Sequence, residues 1–154
     1  MARWISAELR QTVADRAKQL CECCLIAESD TFYGCEVDHI ISLKHGGVSE
    51  INNLAYACAL CNRAKGSDIG SISTAGEFTR FFNPRTDRWV EHFRLEGAMI
   101  RPLSTIGEVT DHPRTQRKRE TSRTRRDDPI RQVSELRITC THDHVSRTSP
   151  LAAQ

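Results

Sequence analysis

The chain lacks most of what would mark a membrane protein or a broadly basic nucleic-acid binder. No apolar run approaches the ~18 residues of a spanning helix, so no membrane helix is expected. No charged-then-apolar leader opens it, so no secretory signal is expected and the thiols are expected in a reducing cytoplasm. Apolar residues make up only 38% of 154 residues. Either the core is small and stapled, or part of the chain does not fold. The net charge is only +2. Residues 1–106 carry 12 Lys+Arg against 13 Asp+Glu, and residues 107–154 carry 10 against 7. Residues 1–106 therefore lack a general basic footprint, and any phosphate contact there must come from a local patch or from metal ions. No internal repeat is present.

Cysteine, by contrast, is abundant, with seven residues. Two Cys-x-x-Cys pairs, Cys21 with Cys24 and Cys58 with Cys61, have the spacing of thiolate pairs that share a tetrahedral zinc ion. The alternative is four buried cysteines acting as small apolar side chains. Cys23 competes with Cys24 for a place, but Cys21-x-Cys23 is a poorer clamp, and Cys24 is preferred. Cys35 and Cys140 are not expected as ligands. The 33 residues between the pairs exceed a zinc-ribbon spacing, so a ββ unit must loop out between them.

That insert contains Asp38-His39. A neutral imidazole takes a proton from water near pH 7. A hard cation prefers oxygen, which Asp38 and the amide of Asn62 supply. Adjacent strand residues point to opposite faces, so one site for both needs a bend or a carboxylate that reaches around. Taken alone, the pair reads equally as a polar strand end with a hydrogen-bonded histidine.

Around these residues the pattern predicts a helix over 7–20, capped by Ser6, with Leu9, Val13, Ala17 and Leu20 in one stripe. A turn over 27–33 and a strand over 35–41 follow. Lys44 to Gly47 reads as a loop, 51–57 as a short apolar segment, and 59–65 as one or two helical turns stopped by Gly66. Farther on, 78–82 and 89–95 read as two strands of a hairpin joined by a turn over 83–87, with 99–103 as an edge strand. Arg80, Arg85, Arg88 and Arg94 are candidates for a basic surface there, or simply for solvating it. His45 and the Cys140–His144 stretch carry suitable residue types but no preorganised setting.

Three blocks occur in order: Glu36 to Ile41, Asn52-Asn53-Leu54, and Cys58-x-x-Cys61-Asn62-x-x-Lys65-Gly66. Together they resemble the HNH endonuclease family over residues 20–70. The resemblance implies an α+β fold: a ββα-metal (His-Me finger) core with a structural four-Cys zinc site, after an N-terminal helix and before a small β-hairpin region. It implies His39 as general base and Asn53 as the residue that holds the loop and aims it. Asp38 and Asn62 become ligands of a catalytic Mg²⁺ or Mn²⁺, with Arg63 and Lys65 near phosphate. Asn62 stands where the family often has His, which favours hard metals over Zn²⁺ or Ni²⁺.

The expected organisation is a nuclease core over 1–70, an accessory hairpin region over 71–110 and a disordered basic tail over 111–154. Residues 114–126 hold seven Lys+Arg and no Val, Ile, Leu, Met or aromatic. Relatives would continue after Thr110 with an apolar helix, so the tail is either altered, as by a frameshift, or a basic arm that binds nucleic acid. The expected activity is hydrolysis of DNA phosphodiester bonds by a cytoplasmic monomer or weak homodimer. The rivals are a zinc-stapled nucleic-acid-binding module without catalysis, and a decayed nuclease.

Overall fold

Ser6 starts the first helix, α1 (Ala7–Arg16), by accepting the Leu9 backbone N–H at 3.2 Å in the computed structural model, which describes residues 4–111. Expectations for residues 112–154, the tail included, lie outside the described residues. The helix ends at Arg16, four residues before the expected Leu20. Lys18 and Gln19 take left-handed backbone angles, φ 52° and 57°, which no helix can continue. The reversal places Leu20 opposite Ala27 in an isolated β-bridge. The apolar position that looked helical is used to close the first cysteine loop instead.

β1 (Cys35–His39) and β2 (Leu54–Cys58) form an antiparallel hairpin in which Cys35 faces Cys58, Val37 faces Tyr56, Asp38 faces Ala55 and His39 faces Leu54. Cross-strand partners share a face. Leu54 and Tyr56, with Val37 beside them, pack against Val13 and Ala14 of α1 and Ala17 just past its end. The alternate face carries Glu36 and Asp38 over Ala57 and Ala55, whose small side chains leave room for α2 (Ala59–Lys65). Every residue of β2 is buried. This gives the expected strand–strand–helix order, with α2 stopped by Gly66, whose N–H reaches the Asn62 carbonyl at 2.9 Å. Ile41, inside the expected strand over 35–41, lies beyond β1 and is 47% exposed.

The second region corrects the expected hairpin. β4 (Phe78–Arg80) pairs with β3 (Gly70–Ile72), and not with residues 89–95. The turn over 83–87 exists, with the Thr86 and Asp87 N–H groups donating to the Asn83 carbonyl, but it leads into a helical turn, α3 (Trp89–His92). Trp89, His92 and Phe93 are spaced three and four apart, which is helical spacing rather than alternation. β5 (Phe93–Glu96) then pairs with β6 (Met99–Pro102), as expected for the latter's edge position. A short helix not foreseen, α4 (Thr105–Thr110), closes the region, with Ser104 accepting the Gly107 N–H at 3.1 Å. The fold is α+β, with three two-stranded sheets among the described residues.

The two regions share a core. Phe82, Phe93 and Ile100 are buried against Cys21, Cys24 and Cys58. Trp89 packs there too and donates its indole N–H to the Cys23 carbonyl at 2.9 Å. The cysteine cluster is therefore walled by aromatic and aliphatic side chains from residues 81–100.

Candidate metal centre and active site

Each Cys-x-x-Cys segment bends so that its own backbone points at its first sulfur. The Cys24 N–H donates to Cys21 Sγ and the Cys61 N–H to Cys58 Sγ, both at 3.5 Å. Cys58 is also the N-cap of α2, so helix formation itself aims Cys61. Leu25, at φ 60°, completes the first turn. β1–β2 pairing brings the two turns together. The four sulfurs of Cys21, Cys24, Cys58 and Cys61 lie within 4.8 Å of one another, with Cys24 and Cys58 3.8 Å apart. Tetrahedral thiolates at ~2.3 Å from zinc sit about 3.8 Å from each other. The donor set, its burial and the amide hydrogen bonds to sulfur fit structural zinc. Cys23 stands outside the set, as preferred from the spacing. Its neighbours feel it, however: hydrogen bonds, first from Cys23 and then from Cys24, hold Cys21 well below the ordinary thiol range. Cys61 is pushed well up, first by Cys21. Thiols this crowded cannot all ionise without a cation among them.

Asp38 and His39 occupy the last two rungs of β1. The pairing is regular through His39, so they keep opposite faces, and no bend merges them. On one face, Lys65 Nζ lies 2.9 Å from Asp38 Oδ2, each side chain 20% exposed, and donates to the His39 carbonyl at 2.7 Å. One helical turn earlier on α2, Asn62 Nδ2 donates to Glu36 Oε2 at 2.8 Å. On the other, His39 Nε2 meets Ser49 Oγ at 2.9 Å. Burial lowers the His39 pKa below its ordinary value, with Asp38 opposing and Lys65 adding to the shift. Burial therefore favours the neutral imidazole.

Asn53 closes the loop that carries Ser49. Its Oδ1 accepts the Ile41 N–H, and its Nδ2 donates to the carbonyls of Ile41 and Val48, all at 2.9 Å. Gly47 lies under this clamp. A β-carbon there would sit 1.7 Å from the Ile41 carbonyl oxygen, so only glycine lets the chain pass. Ser42 Oγ ties the same loop to the Ser67 carbonyl just past α2.

Residues 21–68 match the HNH endonuclease family. No curated protein matches the chain. The HNH match spans both cysteine turns, both hairpin strands and α2, so the four cysteines, Asp38, His39, Asn53, Asn62, Arg63 and Lys65 all fall inside it. An HNH domain with a four-cysteine metal site marks a nuclease or a nucleic-acid-binding module. Among the described residues, no helix is long and apolar enough to cross a membrane.

Two features of the HNH region were missed from sequence. Ser49 had no signal, because its reach to His39 depends on the loop path. The Glu36 and Lys65 contacts did have one: Glu36 and Asp38 are two apart on a strand, and Asn62 and Lys65 three apart on a helix, so two pairs can form side by side. The candidate basic surface at residues 80–94 is corrected. Arg80 pairs with Asp87, Arg85 with Glu22, Arg88 with Glu91 and Arg94 with Glu96. Each guanidinium meets a carboxylate, though Glu22 is shared with Arg16 and Glu96 with Arg101. Arg63 and His45 are exposed.

Proposed function

We propose that the protein is a metal-dependent endonuclease that hydrolyses DNA phosphodiester bonds. The observation that carries this is the setting of His39: favoured by burial in its neutral form, at the end of β1, held by Ser49 on a loop clamped by Asn53. With Nε2 engaged by the serine hydroxyl, Nδ1 is the nitrogen left to take a proton from water. That water attacks a phosphate laid across the strand end, and Arg63 on the exposed side of α2 steadies the phosphate.

Asp38 and Asn62 are the residues that would hold a Mg²⁺ or Mn²⁺ ion. Their oxygens suit a hard cation. When bound, a divalent ion supplies stabilisation of charge on the phosphate and the leaving 3′-oxygen. Lys65, released from Asp38, would then be free to meet phosphate. Zinc on the four cysteines does no chemistry and holds the hairpin to the first turn. Such thiolates suit a reducing compartment such as the cytoplasm.

One observation favours the second reading, a binding module without catalysis: Asp38 is already neutralised by Lys65. The test is nicking of supercoiled plasmid with Mg²⁺ or Mn²⁺, beside His39→Ala of equal zinc content. Removing a general base should cost roughly 10²–10⁴-fold. A wild-type rate no higher than that of the variant, with plasmid still bound, establishes the binding module instead.

A further inference from the structure

Glu36 lies on the same strand face as Asp38, and its carboxylate takes the Asn62 side-chain amide at 2.8 Å. An ionised carboxylate only accepts hydrogen bonds, whereas an amide has a donating and an accepting end. The end of Asn62 that meets Glu36 must therefore be its nitrogen. The Asn62 oxygen is left for another partner. Without Glu36, nothing in this contact would choose between the two ends, and a metal meets the amide as a ligand only through oxygen.

We propose that Glu36 is a positioning residue that sets the Asn62 amide oxygen toward the divalent-ion site. The inference rests on the reading of Asp38 and Asn62 as ion ligands. Glu36 is exposed, so it costs the fold little to remove, and it belongs neither to the zinc cluster nor to the ligand pair. Asn62 needs such help because an amide, unlike a carboxylate or an imidazole, can turn a nitrogen that cannot ligate toward a cation.

The test uses full-length, zinc-loaded protein and Mn²⁺ alone, with affinity read by electron paramagnetic resonance of free Mn²⁺. Glu36→Ala is expected to weaken Mn²⁺ binding about tenfold, the scale of losing a partner that orients a ligand. Asn62→Asp has two equivalent oxygens and no end to choose. In that background, Glu36→Ala should cause no loss of affinity. Disappearance of the effect is a coupling that a merely structural role for Glu36 would not produce. An equal loss in both backgrounds, or none in either, overturns the proposal. Asp38→Ala separates this from failure of the site itself. If Asp38→Ala abolishes binding while Glu36→Ala does nothing, only the role of Glu36 falls. If Asp38→Ala also leaves Mn²⁺ binding unchanged, the ion site falls and the proposal with it. Unchanged zinc content and circular dichroism in each variant exclude misfolding as the cause.

Discussion

His39 is half-buried, and burial disfavours its charged form. Its folded pKa lies below its unfolded one, so the folded protein resists protonation there. The linked stability is present above the ordinary histidine range, near pH 6.5, and is lost as pH falls through the lowered pKa. The proposed catalysis depends on the same proton. Nicking should fall with acid at a midpoint below 6.5, and NMR titration of His39 should give the same midpoint. A midpoint above 6.5 would contradict the burial argument. Ser49→Ala should lower kcat with zinc content and Mn²⁺ affinity unchanged, and should move the acid limb of the pH–rate profile. Asn53→Ala removes three hydrogen bonds at once, each about 1 kcal/mol net, and should cost about 2–3 kcal/mol in urea unfolding. That Asn53 ties this loop together was expected from the family resemblance of the motif blocks, and its hydrogen bonds to Ile41 and Val48 do so. The contact of Ser49 was not expected, because a hydroxyl ten residues from a histidine has no spacing rule.

At the scale of elements, periodicity separated helix from strand wherever a segment served one neighbour. β1 and α2 were legible for that reason, since the thiol turns and Gly66 punctuate them, whereas the segment that forms β2 was read only as short and apolar. Misreadings arose where a segment serves two. Leu20 continues the α1 stripe in sequence but belongs to the first cysteine loop. Trp89 and Phe93 look like strand aromatics, yet Trp89 must reach the Cys23 carbonyl while Phe93 joins Phe82, and a helical turn puts them there. The turn before them has its own electrostatic lock. Arg80 donates to Asp87 at 2.6 and 2.8 Å, and the Asn83 N–H and Thr86 hydroxyl add to it. Arg80 first, then the Asn83 N–H and the Thr86 hydroxyl, hold the Asp87 carboxyl down to about 2 against the opposing effect of burial. This depressed pKa contributes stability above the ordinary carboxylate value, 3.8, which is lost as pH falls through about 2. Because Arg80 is 49% exposed, solvent screening keeps the effect small. Asp87→Asn should cost about 1 kcal/mol near neutral pH and nothing measurable at pH 2, read by urea unfolding.

At the scale of the whole molecule, the cysteine cluster is where both regions meet. Zinc there is coupled to folding, because the ligands converge only when the hairpin and both turns are formed. Chelation, or Cys58→Ser, should remove about one zinc per chain and loosen residues 81–100 as well as the HNH region. Trp89 reports this directly. Its indole lies in the wall of the cluster, so its emission should shift to the red on zinc loss, in a Trp4→Phe background that removes the exposed second tryptophan. Folded, zinc-free protein with unshifted Trp89 emission would show that the thiols pack without metal.

The amino-acid sequence by itself determined the ligand pairs, the hairpin between them, the Asp38-His39 dipeptide and the order in which these occur. Such features are local, since spacing along a strand, turn or helix decides which side chains share a face. Only the tertiary structure decided that Lys65 neutralises Asp38, that Glu36 engages the Asn62 amide, that Ser49 holds His39, and that the arginines of 80–94 are all paired. Those contacts join residues up to 63 positions apart, as between Glu22 and Arg85. They depend on how α2 and the later hairpins settle on the cysteine cluster, and no local periodicity encodes that.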